Sequence, residues 1–519
     1  MKKTEMNLVP DIVNPSPDYY CTWQTQLYAT CDGKPARQRA ILGEKAFFDT
    51  EKPFGWAYFY EKARGDLFFV MDDSWDVPLD GNQAHFGSLI LNQEKFPNYT
   101  LGKNNAEALR ALVSDFKELG WKGLGGWVCA QEAPLTPIST LSHSAPCSAN
   151  TTEPLLSSIT LEDYWKAKLS DMQASGFSYW KVDWGKKGTN FAFRKMLTEL
   201  ARQYAPELIL EHAIVKDIIP HSDVFRTYDV PAIMSIPMTM QKIAEFSDVP
   251  APENTLDKSR NMGLINCEDE VYIAAAGGFT MGIMRHPYTG DFVDGKPDIS
   301  FPALHRNIKT KMCEVIRAVR WHRIAPAFSF CSEELQMSAN TLLDTWHFEN
   351  ASEEIENWWL SMHLIADFMK DNVLTKEAPA AIVRGTALPD IQADENGYVP
   401  YCVASRNPNG AFCVATLGRT AYREYFIPKC DVAVDVKDST VIGVFGEYKS
   451  LILKVSSAPI TQVFMQDLAD DKAFDVTDLV TITDNQIVIP GELISRIGTC
   501  AQPEEDTSEP GVVIQLYKY

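Results

Sequence analysis

Short apolar runs alternate with amphipathic stretches over the first half of the chain, roughly between residues 57 and 284. The strand-like runs lie at residues 19–28, 66–71, 126–129, 177–183, 208–211 and 223–225, with two more near Leu264 and Phe279. Stretches with apolar residues at helical spacing lie at residues 105–119, 161–174 and 190–204. Repeated strand–helix alternation indicates parallel strands joined by helical crossovers. About eight such units predict an α/β fold, a (β/α)8 TIM barrel closed by a helix over residues 306–321, with a doubly wound sheet as the alternative.

The pattern changes after about residue 327. Segments at residues 410–416, 450–455, 486–489 and 512–517 are short, largely apolar and separated by turn residues, and helical periodicity mostly disappears. Short strands bounded by turns favour an antiparallel β-sandwich. The sequence therefore predicts a catalytic barrel over residues 1–327 and a C-terminal antiparallel β-sandwich domain over residues 328–519.

Composition narrows the classes of function. With 45% hydrophobic residues and a net charge of −21, the chain is predicted to be a globular protein that binds neither nucleic acid nor membranes, because its surface repels phosphates. The 11 cysteines form no CxxC pair and no apolar signal region follows Met1, which favours reduced thiols in the cytoplasm. A small neutral or cationic substrate suits this negative charge. The sequence is compatible with a homo-oligomer.

Polar side chains follow strand after strand at the predicted carboxyl ends, where TIM barrels carry their chemistry. These residues are Asp72, Asp73, Trp75, Trp127, Lys181, Asp183, Glu211, Arg226, Asp229 and Asp269. A single aspartate after a strand is commonly a turn former or a helix cap. So many charged residues at the ends of successive strands favour a catalytic site instead.

Lys181 and Asp183 are two residues apart on one strand, so both side chains point into the barrel. A cation beside a carboxylate keeps the carboxylate ionised, as a nucleophile requires, although a structural ion pair would give the same pattern. Trp75, Trp127 and Trp184 could be apolar platforms for a sugar ring, or core residues. Since two carboxylates across a sugar pocket suffice for glycoside hydrolysis, Asp183 and Asp229 are the candidate pair.

These motifs resemble those of the melibiase-type α-galactosidases, glycoside hydrolase families 27 and 36. Asp72-Asp73-Ser74-Trp75 resembles their Asp-Asp-x-Trp, and Lys95-Phe96-Pro97 resembles their Arg-Phe-Pro. The segment 179–184, Tyr-Trp-Lys-Val-Asp-Trp, is similar to their Lys-x-Asp motif, and residues 225–229 are similar to their Arg-then-Asp segment. The resemblance extends over about residues 15–330, and its order along successive strands is more specific than any single motif.

The resemblance implies a retaining exo-α-glycosidase that removes terminal α-galactosyl-like residues, with Asp183 as nucleophile and Asp229 as acid/base. It implies that Asp72 and Asp73 bind sugar hydroxyls and that Lys181, Arg226 and Trp127 line the pocket. Glu211 lies where relatives read the 2-position. The family usually places the acid/base four residues after the arginine, not three, so Asp223 and Asp269 stay as alternatives. The motifs do not distinguish among three candidate sugars, which are galactose, N-acetylgalactosamine and arabinopyranose.

Two other classes of protein remain. One is a Mg²⁺-dependent barrel that abstracts a proton beside a carboxylate, with Asp183, Glu211 and Asp269 as ligands and Lys181 as base. The other is a non-catalytic sugar-binding barrel. The chain lacks an HExxH zinc motif and a complete Gly-rich nucleotide-binding motif. If the protein is a glycosidase, we therefore expect no cofactor and no metal.

Overall fold

The computed structural model describes residues 2–30, 35–50, 55–80, 86–131, 160–228, 232–251, 262–285, 311–349, 369–456 and 459–518. After a two-residue strand, β1 (Lys2–Lys3), eight parallel strands form a closed barrel. They are β2 (Tyr19–Cys21), β3 (Phe68–Met71), β4 (Gly123–Val128), β5 (Tyr179–Val182), β6 (Ile209–His212), β7 (Val224–Arg226), β8 (Leu264–Asn266) and β9 (Gly282–Ile283). From β2 to β8 each strand pairs with the next in the chain, and β9 pairs with β2. An isolated parallel bridge from Asn266 at the end of β8 to Thr280, just before β9, completes the ring. The TIM barrel is thus confirmed, and the doubly wound sheet was wrong.

The helices lie between the strands or follow the last of them. They are α1 (Trp23–Thr30), α2 (Pro35–Ile41), α3 (Glu44–Phe48), α4 (Pro97–Thr100), α5 (Asn105–Glu118), α6 (Leu161–Ser175), α7 (Phe191–Tyr204), α8 (Ser235–Ala244), α9 (Val271–Gly277) and α10 (Met312–Ile324). Short 3₁₀ turns cover Trp56–Tyr58, Arg64–Asp66, Lys216–His221 and Ala232–Met234. Local sequence explains the best-predicted boundaries, since Asn104 and Glu107 form a capping box on α5 and Gly176 ends α6 at φ 74°.

The first predicted strand was too long. Residues 19–28 were expected to be extended, but the strand ends at Cys21 and helix α1 begins at Trp23. The turn is stabilised by Thr22, whose hydroxyl donates to the Gln26 side chain and accepts from the Asp72 backbone amide. Thr22 thus links the end of β2 to Asp72, the residue that follows β3. The predicted closing helix is found as α10, beginning at Met312.

The C-terminal part consists mainly of strands. A nine-stranded sheet contains β1, β10 (Leu335–Met337), β14 (Ala381–Arg384), β16 (Tyr401–Arg406), β17 (Phe412–Leu417), β21 (Val441–Phe445), β23 (Ile460–Asp467), β24 (Phe474–Asp475) and β27 (Gly511–Lys518). A five-stranded sheet contains β15 (Asp390–Gln392), β20 (Asp431–Lys437), β22 (Ser450–Val455), β25 (Thr481–Ile482) and β26 (Gln486–Pro490). Two small sheets are formed by β11 (Thr341–His347) with β12 (Met369–Lys370) and β13 (Val373–Pro379), and by β18 (Arg419–Ala421) with β19 (Glu424–Phe426).

The two large sheets pack face to face. Apolar residues of both sheets, such as Val414 and Leu453, share one buried core with helix α11 (Gly491–Gly498). The predicted β-sandwich is therefore present. Most of its pairings are antiparallel, and three are parallel: β14 with β16, β17 with β21, and β20 with β22. The predicted boundary at residue 327 stays a prediction, and the pairing of β1 with β24 adds the first residues of the chain to the C-terminal sheet.

Helix α10 joins the barrel to the sandwich. Trp321 on this helix lies against Phe445 of β21, and Tyr272 of α9 packs on the same ring, with centroids 4.6 Å apart. The buried Arg317 guanidinium donates to both oxygens of Asp467, at 2.9 and 3.2 Å. An apolar core that continues from barrel to sandwich holds the two parts together.

The cysteines that the structure describes are free thiols, and Cys129 and Cys267 are buried, as predicted. No helix in the described ranges is both long and apolar enough to cross a lipid bilayer.

Candidate active site

Strand β5 and the residue after it place three inward side chains at three depths of the barrel. Tyr179, Lys181 and Asp183 alternate with outward residues, so all three point into the lumen, as predicted for Lys181 and Asp183. Tyr179 lies at the amino end of the strand and Asp183 at its carboxyl end. Each of the three contacts a different charged group, so the strand connects the barrel floor to its open rim.

At the deepest level, the carboxylate of Glu211 accepts four hydrogen bonds. The hydroxyls of Tyr19 and Tyr179 donate at 3.0 and 2.9 Å, the Asn266 amide at 2.6 Å and the Arg226 guanidinium at 3.2 Å. Glu211 is fully buried, and burial together with its negative charge raises the pKa of both tyrosines. We call these five residues the Glu211 hub. It joins strands β2, β5, β6, β7 and β8 through one anion.

Arg226, at the end of β7, links the hub to the rim. Its Nη1 contacts Glu211, its Nη2 lies 3.0 Å from Asp183 Oδ1, and its Nε lies 3.7 Å from Glu268 Oε1. Burial disfavours the charged form of the guanidinium, but Asp183 and Glu211 outweigh burial and raise the pKa of Arg226 well above its ordinary value. Arg226 is therefore a permanent cation that positions Asp183.

Asp183 is held from two sides at the rim. Its Oδ2 accepts a hydrogen bond of 2.9 Å from the Trp127 indole, and its Oδ1 faces Arg226. Burial raises the pKa of Asp183, but the Arg226 guanidinium, the Lys181 ammonium and the Trp127 donor outweigh burial and bring the pKa below that of a free aspartate. An oriented and ionised carboxylate, with its side chain 11% exposed, is what a nucleophile requires.

Lys181 binds Asp72, which directly follows β3. The ammonium lies 2.7 Å from Asp72 Oδ2, and the thiol of Cys21 donates to the same oxygen at 2.9 Å. Burial lowers the pKa of Lys181, but the charge of Asp72 outweighs it, and the net pKa is raised. Asp72 Oδ1 accepts from the Asp73 backbone amide. The pair thus presents an ammonium and a carboxylate side by side, beneath Asp183.

Asp73 has a partner that the sequence did not predict. Both of its carboxylate oxygens accept from Arg39 of helix α2, each at 3.0 Å. Burial raises the pKa of Asp73 in spite of this guanidinium. Lys95 supports the same loop, because its ammonium donates to the backbone carbonyls of Arg39 and Ser74 at 2.7 and 2.6 Å. The contact of Asp73 with substrate stays a prediction.

The three tryptophans lie in different environments. Trp75 is fully buried, its ring packs on Phe177, and its indole donates to the Trp127 carbonyl at 2.9 Å, which are the contacts of a core residue. Trp127 is 1% exposed and contacts Asp183. Trp184 is 38% exposed, and its ring contacts those of Trp127 and Phe86. The direct contact with Asp183 comes from Trp127, and the exposed aromatic surface comes from Trp184.

The predicted acid/base, Asp229, lies outside the described residues, which end at Tyr228 in this segment. The alternative Asp223 precedes β7 and pairs with Arg202 and the Leu210 amide, so it lies at the amino end of the barrel, away from Asp183. Asp269 lies at the correct end, but its Oδ1 accepts from the backbone amides of residues 284 and 285. Neither alternative faces Asp183 in the described contacts.

The carboxylates proposed as Mg²⁺ ligands are already engaged. Glu211 accepts from four donors, and Asp183 and Lys181 lie beside cationic or anionic partners of their own. Within the described ranges, no group of three or more His, Cys, Asp or Glu side chains is arranged to hold a metal ion. The arrangement of these side chains suits a neutral ligand better than a divalent cation, because Arg226 and Lys181 would repel it.

Several site residues were not predicted from the sequence. Tyr19, Cys21 and Tyr179 occupy alternate inward positions of β2 and β5, and this alternation was the available signal. Asn266 ends β8 in the same way that Arg226 ends β7. Arg39 could not be found from the pattern of polar residues at strand ends, because it lies on helix α2 and contacts Asp73 from there.

One cavity lined by described residues lies away from this rim. A cleft of about 1490 Å³ lies in the C-terminal domain, between the loops around Tyr398, Tyr422 and Lys449. Its lining includes none of the predicted site residues. It is open and lined by both acidic and basic side chains, and it has no role in the chemistry discussed below.

Comparison with known proteins identifies similar structures only. No family model matches the chain, and no curated protein matches its sequence. A GH27 β-L-arabinopyranosidase variant from Geobacillus stearothermophilus, in complex with arabinose, is 12% identical, with 97% of each chain covered and a TM-score of 0.43. A proposed α-galactosidase from Bacteroides fragilis is 9% identical, covering 97% of this chain and 79% of the other at a TM-score of 0.38. A proposed α-N-acetylgalactosaminidase from Bacillus halodurans is 10% identical, covering 98% and 99% at a TM-score of 0.37.

The arabinopyranosidase is named as a GH27 enzyme. At such low identities and TM-scores, the function of this chain has to be argued from its own side chains.

The Glu211 hub predicts different losses of stability for substitutions at its centre and at its edge. Glu211→Ala removes one anionic partner of the buried Arg226 guanidinium and leaves three neutral donors without their acceptor, so the free energy of unfolding should fall by about 3–5 kcal/mol. Tyr179→Phe removes one donor and leaves the ion pair, and should cost about 1–2 kcal/mol. Urea unfolding followed by circular dichroism measures both, and equal costs for the two variants would contradict the hub.

Proposed function

We propose that the protein is a retaining exo-acting α-glycosidase that hydrolyses terminal α-galactosyl-like residues by double displacement. The observation that carries the proposal is the state of Asp183. It is an ionised carboxylate at the rim of a TIM barrel, with one oxygen held by Trp127 and the other beside Arg226. Residues at the carboxyl ends of barrel strands form the active sites of this fold.

In the first step, Asp183 attacks the anomeric carbon. The two contacts to its oxygens fix the orientation of the carboxylate, so little rotational freedom is lost on the way to the transition state. The adjacent charges of Arg226 and Lys181 keep the group ionised near neutral pH. They also lower its basicity, which makes it a better leaving group when water releases the sugar.

Asp229 is proposed as the acid/base because of the Arg-then-Asp segment that begins at Arg226. It would protonate the departing oxygen and then deprotonate the water that attacks the glycosyl-enzyme. A retaining mechanism requires about 5–5.5 Å between the two carboxyl groups. Repulsion from the ionised Asp183 is expected to raise the pKa of Asp229, so that it holds its proton near neutral pH.

The sugar is proposed to lie over the Asp72–Lys181 pair. The pair provides an acceptor and a donor side by side, which matches neighbouring hydroxyls of a hexose or pentose. Lys181 is the partner of Asp72, and Arg226 lies between Asp183 and the buried Glu211, so each of these charges already has a partner of opposite sign, which favours a neutral ligand. Galactose, N-acetylgalactosamine and arabinopyranose are the candidates that the motifs imply.

The rival functions depend on features that the site does not favour. A proton-abstracting Mg²⁺ enzyme needs Glu211 as a ligand, but this carboxylate is buried among four donors. A non-catalytic sugar-binding barrel would have no use for an ionised carboxylate oriented from two sides. Turnover of glycosides in the presence of EDTA would exclude both rivals.

A substrate panel tests the proposal directly. Among p-nitrophenyl α- and β-glycosides of galactose, N-acetylgalactosamine, arabinopyranose and glucose, we expect release of p-nitrophenol from one galactosyl-like substrate of axial O4 configuration. The first product seen by proton NMR should have the anomeric configuration of the substrate, because two displacements restore it. Inverted product would contradict the nucleophilic role of Asp183, and no turnover of any glycoside would contradict the enzyme.

Asp183→Asn should abolish turnover and leave the fold intact, since the amide keeps the shape but cannot attack. We expect kcat to fall roughly 10³-fold or more. The matched control is Asp217→Asn, the same change at an exposed position of the Lys216–His221 turn, which should leave kcat unchanged. A variant at position 183 that keeps a tenth of the activity would remove Asp183 from the nucleophile's role.

Lys181→Met should move the acidic limb of the kcat/KM profile to higher pH. Lys181 and Arg226 lower the pKa of Asp183, so loss of one cation raises that pKa and protonates the nucleophile at a higher pH. Lys186→Met, an exposed lysine beyond the rim, is the control and should leave the limb in place. A limb that stays in place in both variants would show that Lys181 does not set the ionisation of Asp183.

A further inference from the structure

Trp184 presents aromatic surface to solvent beside the candidate nucleophile. The groups that would contact the reacting sugar are enclosed, with Asp72 and Lys181 each 3% exposed and Asp183 8% exposed. Trp184, the next residue in the chain, is 38% exposed. A large apolar side chain at a rim, one residue from a buried carboxylate, has a face available to a ligand.

This exposed ring is held in place. It lies 5.6 Å from the Trp127 ring and 5.3 Å from the Phe86 ring, centroid to centroid. The Trp184 carbonyl accepts from the Ala130 amide at 2.8 Å. Gly185 follows at φ 145°, so close to the Ala130 carbonyl that a Cβ there would come within 2.2 Å of the oxygen. The indole is thus a fixed platform at the rim.

The position of this platform matches the path of a leaving group. When Asp183 attacks, the bond from its oxygen to the anomeric carbon forms as the glycosidic bond breaks. The electron pair goes to the leaving oxygen, which takes the proton of the acid. Because Asp72 and Lys181 are enclosed below Asp183, the remainder of a substrate has to extend from the site toward the open rim, where Trp184 is exposed.

We propose that Trp184 is the platform of a leaving-group subsite that binds a second pyranose unit, so that the physiological substrate is an oligosaccharide. The ring C–H face of a sugar packs well on an indole, whereas a small alcohol would leave the indole uncovered. Of the three predicted tryptophans, Trp184 is the one that can bind a sugar ring at the rim. The Trp127 indole donates to Asp183, and Trp75 is buried. The inference rests on the glycosidase proposed above.

The test compares two substrates with the same reacting sugar. Melibiose releases glucose as its leaving group, whereas α-galactosyl fluoride releases fluoride, which has no ring to contact the indole. Trp184→Ala should lower kcat/KM for melibiose roughly tenfold and change that for the fluoride by less than about twofold, since only the disaccharide reaches the platform. Trp184→Phe should restore much of the loss. The matched control is Phe191→Ala, an aromatic side chain 37% exposed on helix α7, which should leave the ratio of the two substrates unchanged.

The outcomes separate this inference from the function on which it rests. If the unaltered protein hydrolyses both substrates and Trp184→Ala lowers both equally, or neither, the second-sugar subsite is overturned while the glycosidase stands. If the panel above selects another sugar, the fluoride and a disaccharide of that sugar replace this pair. If the unaltered protein hydrolyses neither this pair nor any glycoside of the panel, the glycosidase is overturned, and the subsite with it. Binding provides a second readout, because in the Asp183→Asn background Trp184→Ala should weaken melibiose but not galactose in calorimetry.

Discussion

The arrangement of the site depends on one buried cation, the Arg226 guanidinium. It is 1% exposed and lies between the carboxylates of Glu211 and Asp183, with Glu268 close to its Nε. A charge taken out of water is tolerated only with partners of opposite sign and satisfied hydrogen bonds. Each of these groups therefore needs the others, and removal of one leaves an uncompensated charge in a dry interior.

The orientation of Asp183 therefore depends on contacts from several strands of the barrel. Arg226 is held by Glu211, and Glu211 is held in turn by Tyr19 of β2, which lies across the ring, and by Asn266 of β8, which neighbours β7. These neutral donors supplement the single guanidinium, because both oxygens of the buried Glu211 accept hydrogen bonds. A distortion of one strand would be transmitted to the rim through this chain of contacts, which explains how a site on short strands can be rigid.

Part of this could be predicted from the sequence, for a physical reason. Helix caps and apolar periodicity are local, so α5, α6 and α7 were placed within a few residues, and the two-residue alternation correctly oriented Lys181 and Asp183. Contacts across the barrel are not local. The partners Tyr19 and Glu211 are 192 positions apart, and Arg39 reaches Asp73 from a helix, so neither pair leaves a pattern in the sequence. The role of Trp75 was ambiguous for a similar reason, because an aromatic residue after a strand can pack in the core or line a binding pocket.

The short strand β1 has a consequence for how the chain can be divided. Lys2–Lys3 completes one edge of the C-terminal sheet through β24, although the barrel follows directly after it. The nine-stranded sheet therefore contains residues from both sides of the barrel in the sequence. Cutting the gene after the last barrel helix would separate this edge strand from its sheet and expose the aromatic face around Trp321 to water. The barrel is accordingly not a portable module: an engineered version would have to keep the sandwich, or supply a new apolar cover for that face.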